Sequence, residues 1–391
     1  MKVALIASDN NASSGAFLSL ANMAVQLNRL GVETIVFIPP DGPYVGPGDG
    51  ERILKQYQLE YRKIPSITWI VPEGFKPTML TTLGQLRYRM FNKYQAHKLA
   101  RILKSEQVDL VHINTVYSYY AAYAAKYAGL PLVWHIREFL EEDQEKKFYF
   151  KEYAYKLINC ADLVIAISNS IYQKYAPNLT TQVKTIYNGI DVNKFYKPMR
   201  CIFTSEITTL CYVGGLSPLK GTDDLLEACK KLNNAGKKQL YRLIIAGRGD
   251  DPYEKKMRDF ISENQMDNVE FVGYQKDVPA VMSRADVSVV TSRYEAFGRV
   301  TVEAMLTGNL VLGADSAGTK ELLHDGEFGV LYHCGDADSI KDRVLYILEH
   351  KKELEEKACM ARFFMAENMT AEKNAENIYK EYVRILGEYK R

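Results

Sequence analysis

Short apolar runs rich in β-branched residues recur along the chain, separated by longer stretches in which apolar residues return every three or four positions. The first half predicts strands at Lys2–Ala7, Thr34–Ile38, Asp109–Asn114, Pro131–His135, Asp162–Ile167 and Val183–Tyr187. The second half predicts them at Thr208–Val213, Tyr241–Ala246, Val269–Val272, Asp286–Val290 and Leu310–Leu312. These runs are almost continuously apolar, the signature of strands covered on both faces. Alternation with helical patterns then predicts α/β architecture: two doubly wound parallel sheets with helices on each side. Between the halves, Asn188–Glu206 holds a turn dipeptide and a proline and shows no period, so it reads as a linker. Residues 371–391 form an amphipathic pattern, with Ile378, Tyr379, Tyr382, Val383 and Leu386 on the apolar side. The expected division is a first domain over 1–190, a second over 191–370, and a C-terminal helix, 371–391, packing back on the first. Ligands collect at the carboxyl ends of such strands, so two sheets of this kind facing each other leave a cleft between them.

Composition narrows the picture without redirecting it. A length of 391 residues suits two domains, and 47% hydrophobic with 25% charged residues is enough to bury real cores. A formal charge of +2 points to neither nucleic acid nor membrane; only local clustering can. The six cysteines are scattered with no CxxC pair, and several lie in apolar runs, which predicts reduced, buried thiols in a cytoplasmic protein. The opening "MKVALIASDN" turns polar too soon for a signal peptide, and no run is long enough for a membrane-spanning helix.

The chemistry gathers where glycines follow predicted strands. "YVGGLSPLKG" carries Gly214, Gly215 and Lys220, "AGRGDDP" carries Arg248, and "FVGYQKDV" carries Tyr274. In "TSRYEAFGR", Phe297, Gly298 and Arg299 open a helical pattern. Glycine lets backbone approach a ligand closely, and a helix opening offers N–H groups with a partial positive charge. Four such turns on one sheet edge, one bearing a lysine, point to a nucleotide diphosphate. The GxxxxGK[ST] loop of NTP hydrolases is absent. Glu295 and Glu303 flank the helix opening. A carboxylate against a phosphate would be repelled, so both are read as accepting hydrogen bonds from hydroxyls beside it, interactions of roughly 1.5–3 kcal/mol.

At these residues the chain resembles the retaining glycosyltransferase family 4, whose architecture is GT-B. "YEAFGRVTVE" is similar to its paired-glutamate signature, "IYNGID" to its interdomain turn, "YVGGLSPLKG" to its lysine loop, and Ala317–Tyr332 to its C-terminal signature. The resemblance covers essentially the whole chain. It implies that Glu295 binds hydroxyls of the transferred sugar and Glu303 the ribose of the nucleotide. Lys220 would take the pyrophosphate charge, with the amides of Phe297 and Gly298 completing the anion site. His135, in "WHIRE", would face the donor across the cleft, and Arg137 and Glu138 beside it are read as a pair. Gly215 stands where the family carries an arginine, and Arg248 or Arg299 is the candidate replacement. Ser13–Ala16 departs from the family's glycine pair and acid, so the acceptor stays open. No metal is implied: "DAD" at Asp336–Asp338 reads as a helix cap, and Lys220 with the helix dipole suffices for the leaving charge.

The reading is thus a sugar transfer from a nucleotide-diphosphate sugar to a glycan or lipid-linked acceptor, of the kind used in bacterial surface polysaccharide or glycolipid synthesis. A nucleotide-sugar epimerase or hydrolase, or a weakened sugar-nucleotide-binding protein, would use the same residues. Finally, Gly84–Lys104 carries Arg87, Arg89, Lys93, Lys98, Arg101 and Lys104 without an acid, interleaved with Tyr88, Met90, Phe91 and Tyr94. It reads either as a surface helix packed on the sheet or as a peripheral contact with anionic lipid. No recognition motif for nucleic acid accompanies it. The expected location is the cytoplasm, at its membrane face if the lipid contact holds.

Overall fold

The computed structural model describes residues 1–40, 48–196 and 201–389. Part of the expected linker, 197–200, and the last two residues of the C-terminal pattern lie outside the described residues. The chain divides into two compact units: Met1–Gly189 together with Ala371–Arg391, and Ile190–Thr370.

In unit 1 the strands are β1 (Lys2–Ile6), β2 (Glu33–Ile38), β3 (Glu60–Lys63), β4 (Ile70–Pro72), β5 (Leu110–Ile113), β6 (Leu132–Ile136), β7 (Lys146–Phe148), β8 (Leu163–Ala166) and β9 (Val183–Thr185). Seven of them form one sheet in the order β3-β2-β1-β5-β6-β8-β9, all parallel, while β4 and β7 pair antiparallel. The order reverses at β1, which pairs through Val3 with Thr34 of β2 on one side and Leu110 of β5 on the other. Val3, Leu5, Val36, Ile38 and Leu110 meet Phe17, Leu20 and Met23 of the helix Gly15–Arg29 in one core.

That core is completed from the far end of the sequence. The C-terminal helix Ala371–Tyr389 lies against the helix Gly15–Arg29 and inserts Ala375, Ile378, Tyr382 and Ile385. The inward stripe is rotated from the one expected: Ile385 is buried and Val383 is exposed.

Unit 2 contains β10 (Thr208–Gly215), β11 (Tyr241–Arg248), β12 (Val269–Gly273), β13 (Val287–Val290), β14 (Leu310–Ala314) and β15 (Val330–Tyr332), parallel in the order β12-β11-β10-β13-β14-β15. Its order reverses between β10 and β13. Leu210, Leu243, Val287 and Leu312 pack against Leu225, Leu232 and Ile340 in a second core.

Two corrections concern chemistry carried by the chain. Cys211 and Cys229 are buried thiols as expected, but Cys160 and Cys201 are exposed and Cys334 and Cys359 half-buried. The basic stretch belongs to a helix, Met79–Ser105, longer than the stripe itself. Its Arg89 guanidinium lies 3.8 Å over the Tyr153 ring, so that cation is engaged within the unit.

Candidate active site

In an open parallel sheet the loops after the two strands flanking the reversal diverge and leave a crevice. In unit 2 those are the loops after β10 and β13, and they bring the lysine and the first glutamate together. Lys220 ends a short 3₁₀ turn, Pro218–Lys220, and its Nζ lies 2.9 Å from Glu295 Oε1. The backbone of this turn is clamped by the β13 loop. Thr291 Oγ1 donates to the Lys220 carbonyl at 2.6 Å, Arg293 N–H donates to the Leu219 carbonyl at 3.0 Å, and the Arg293 guanidinium pairs with Asp224 at 2.9 Å.

Gly221 makes the clamp possible. It sits at φ 66°, and a Cβ there would come within 2.3 Å of the Thr291 carbonyl oxygen. Gly318 does the same for the glutamate loop: its N–H donates to the Glu295 carbonyl at 2.9 Å, and a Cβ would lie 2.6 Å from the Phe297 oxygen. Ser316 adds a bond to the Arg293 carbonyl at 2.5 Å. Thr291, Arg293, Ser316 and Gly318 thus shape the site; the first two lie in "TSRYEAFGR" and Gly318 in the Ala317–Tyr332 signature, but their contacts join loops distant in sequence.

Gly298, at φ 91°, opens the helix Arg299–Thr307 and, being glycine, brings no side chain of its own to cap this end. A helix start concentrates roughly half a positive charge there. Glu303 is buried one turn in and meets Arg299 at 3.3 Å. Burial pushes its carboxyl above the ordinary range, opposed by Arg299 and Lys194. Each glutamate of the signature therefore has a cation beside it.

The glycines of the first loop lie further back than expected, within β10, where Gly214 pairs with Gly247 and Gly215 with Arg248, the last residue of β11. A Cβ on Gly247 would meet the Gly214 oxygen at 2.0 Å, so this register demands glycine. Gly215 faces open space within 4 Å, so packing does not exclude a larger side chain there. Tyr274 follows β12 and is largely exposed. Asp336 caps the helix Ala337–Glu349 by accepting from the N–H groups of Asp338 and Ser339, the capping role its sequence suggests.

His135 lies in unit 1, on β6, fully buried. Its Nδ1 is 3.2 Å from His112 Nε2 and 3.2 Å from an Arg137 terminal nitrogen. Desolvation, Arg137 and His112 hold its basicity well below the usual imidazole range, and burial with Arg137 lowers His112 to about 3. The Arg137 guanidinium also reaches Asn114 at 2.8 Å and Asn188. The Glu138 carboxylate takes the backbone N–H groups of Val116 and Arg137, and burial pushes it up to about 7.

Two doubly wound parallel sheets, each with its own core, are the architecture of the GT-B class. Two family descriptions together match most of the chain: Glycosyltransferase Family 4 over residues 13–194 and Glycosyl transferases group 1 over residues 203–361. The chain belongs to this glycosyltransferase family. A glycosyltransferase of Methanocaldococcus jannaschii is 26% identical over 271 residues, 67% of this chain and 71% of that one. The phosphatidyl-myo-inositol mannosyltransferase of Mycolicibacterium smegmatis is 29% identical over 190 residues, 47% of this chain and 48% of that one. The crystal structure of Anabaena HepE in complex with UDP matches in fold with a TM-score of 0.79 at 23% identity, covering 98% of this chain and 100% of that one.

Proposed function

We propose that this glycosyltransferase moves a hexosyl or N-acetylhexosaminyl group from a nucleotide-diphosphate sugar to a glycan or lipid-linked acceptor with retention at the transferred carbon. The observation that carries the reading is the Lys220–Glu295 pair, 2.9 Å apart, beside the Gly298 helix opening. A doubly charged leaving group seated there meets a cation and a helix dipole at once. Lys220 then leaves Glu295 for the diphosphate, and the freed carboxylate accepts from a sugar hydroxyl. Glu303, steadied by Arg299, takes the ribose. Gly214, Gly215 and the Phe297–Gly298 backbone border the phosphates, with Arg248, Arg299 and Tyr274 around them. His135 is assigned a hydrogen bond to a substrate oxygen.

In this reading Lys220 and the helix opening bear the leaving charge, so turnover is expected to persist in chelator. Support for a nucleotide-sugar donor comes from the fold shared with HepE, solved with UDP. Support for a lipid-linked acceptor comes from the similarity to a phosphatidylinositol mannosyltransferase and from the basic helix Met79–Ser105. Among the described residues no helix is long and apolar enough to cross a membrane.

The deciding experiment measures donor turnover in Lys220→Ala and Glu295→Gln. Each is expected to fall at least tenfold, about 1.4 kcal/mol in the barrier. Glu303→Gln should chiefly weaken nucleotide binding, read by the loss of thermal stabilisation across UDP, GDP, ADP and TDP. Near-normal turnover in both of the first two variants would overturn the assignment. Donor consumption that ignores added acceptor would favour a hydrolase or epimerase, and nucleotide binding without turnover a binding protein.

A further inference from the structure

Unit 1 holds a hydrogen-bonded chain of buried side chains that ends on one unpaired atom. Tyr382 Oη, from the C-terminal helix, lies 2.6 Å from His112 Nδ1 on β5. His112 Nε2 lies 3.2 Å from His135 Nδ1 on β6. His135 Nε2 is buried and has no hydrogen-bond partner among the described residues. The direction of these bonds follows from chemistry. A guanidinium only donates, so Arg137, 3.2 Å from His135 Nδ1, makes that nitrogen an acceptor. His112 can then face the same nitrogen only as a donor, through Nε2–H. Its Nδ1 is left as the acceptor of the Tyr382 hydroxyl. Neutral His135 therefore carries its proton on Nε2, the atom without a partner.

We propose that Arg137 is a positioning residue that fixes His135 as the Nε2–H tautomer, with His112 and Tyr382 aligned behind it, so that a buried N–H donor is held ready for a substrate oxygen. This rests on the reading that His135 meets the substrate. A donor left unmade in a buried place costs about 1–3 kcal/mol, which a hydroxyl or carbonyl oxygen arriving there would recover. The other tautomer would present a lone pair, which repels a carbonyl oxygen and takes a hydroxyl only as a donor. The group that decides between them is the Arg137 guanidinium, 3.2 Å from His135 Nδ1.

Two-bond ¹H–¹⁵N spectra of histidine-labelled protein test the assignment. His112 and His135 are both expected with a protonated Nε2 and a bare Nδ1. Arg137→Met removes the donate-only group at His135 Nδ1 and should give mixed tautomers at both rings, with kcat/KM for the donor sugar down about tenfold, whereas Tyr382→Phe should loosen the tautomer of His112 alone. Arg137→Lys keeps a group that can only donate and should restore the single tautomer and most turnover. A protonated Nδ1 on His135 in the unmodified protein overturns the proposal, whether or not the variants fold. So does an unchanged His135 signature in Arg137→Met. Full turnover by His135→Ala, with the tautomers as expected, would instead remove His135 from the substrate and leave the hydrogen-bond assignment standing.

Discussion

Gly221 is required twice over, by a backbone at φ 66° and by a carbonyl oxygen 2.3 Å from where a Cβ would stand. Gly221→Ala must therefore shift the 3₁₀ turn that carries Lys220. We expect a loss of about 1–3 kcal/mol in urea unfolding, and a fall in donor turnover although no substrate-facing atom has changed. Unaltered unfolding would mean that the turn has another conformation open to it. Glu138 invites a second test. Its carboxyl is raised from an ordinary 4.5 to about 7 by burial, so the neutral form is the one the fold favours. The stability it contributes is full below about pH 4.5 and is lost as pH climbs through about 7, on the order of 3 kcal/mol in all. Glu138→Gln, which cannot ionise, should match the parent near pH 4.5 and exceed it at pH 8 in denaturant melts. Parallel curves for the two proteins would show the carboxyl to be ordinary.

At the scale of elements, the buried parallel strands were legible because burial on both faces writes an unbroken apolar run into the sequence. β3, with the sequence EYRK, lacks that mark because it lies at a sheet edge and stays largely exposed. β4, β7 and β15 have three residues each, too few to show a period. In the candidate site, the Glu295, Gly298 and Glu303 signature and Lys220 stand out as local patterns. The contacts that shape the site, such as Gly318 on the Glu295 carbonyl or Tyr382 on His112, join residues far apart and leave no local trace. The helix Met79–Ser105 shows both halves of its sequence reading. Leu99 and Leu103 pack inward, while Met79, Leu80, Met90 and Tyr94 are exposed alongside Arg87, Lys98, Arg101 and Lys104. Mixed apolar and cationic surface of this kind suits anionic headgroups. Sedimentation with vesicles containing anionic lipid should retain the protein at low salt and release it as salt rises. Replacing Arg87, Lys98 and Arg101 by Gln should abolish retention. Equal binding to neutral vesicles, or none to either, would rule the contact out.

The whole molecule is not two beads in sequence. Unit 1 takes its last helix from beyond unit 2, and Ala375, Ile378, Tyr382 and Ile385 are fully or almost fully buried in its core. Exposing four such side chains would forfeit several kcal/mol, comparable with the stability of a whole domain. A fragment of residues 1–189 is expected to be insoluble or molten, with poor near-ultraviolet dichroism. Joining residues 371–389 to it through a flexible linker should restore a cooperative melt. If the shorter fragment melts cooperatively by itself, the helix is an accessory and not a structural part. The interleaving also orders events during synthesis. The amino-terminal lobe leaves the ribosome first yet must wait, incomplete, until the final helix emerges, so premature stop codons anywhere before that helix should yield no half-working product, only material for proteases and chaperones.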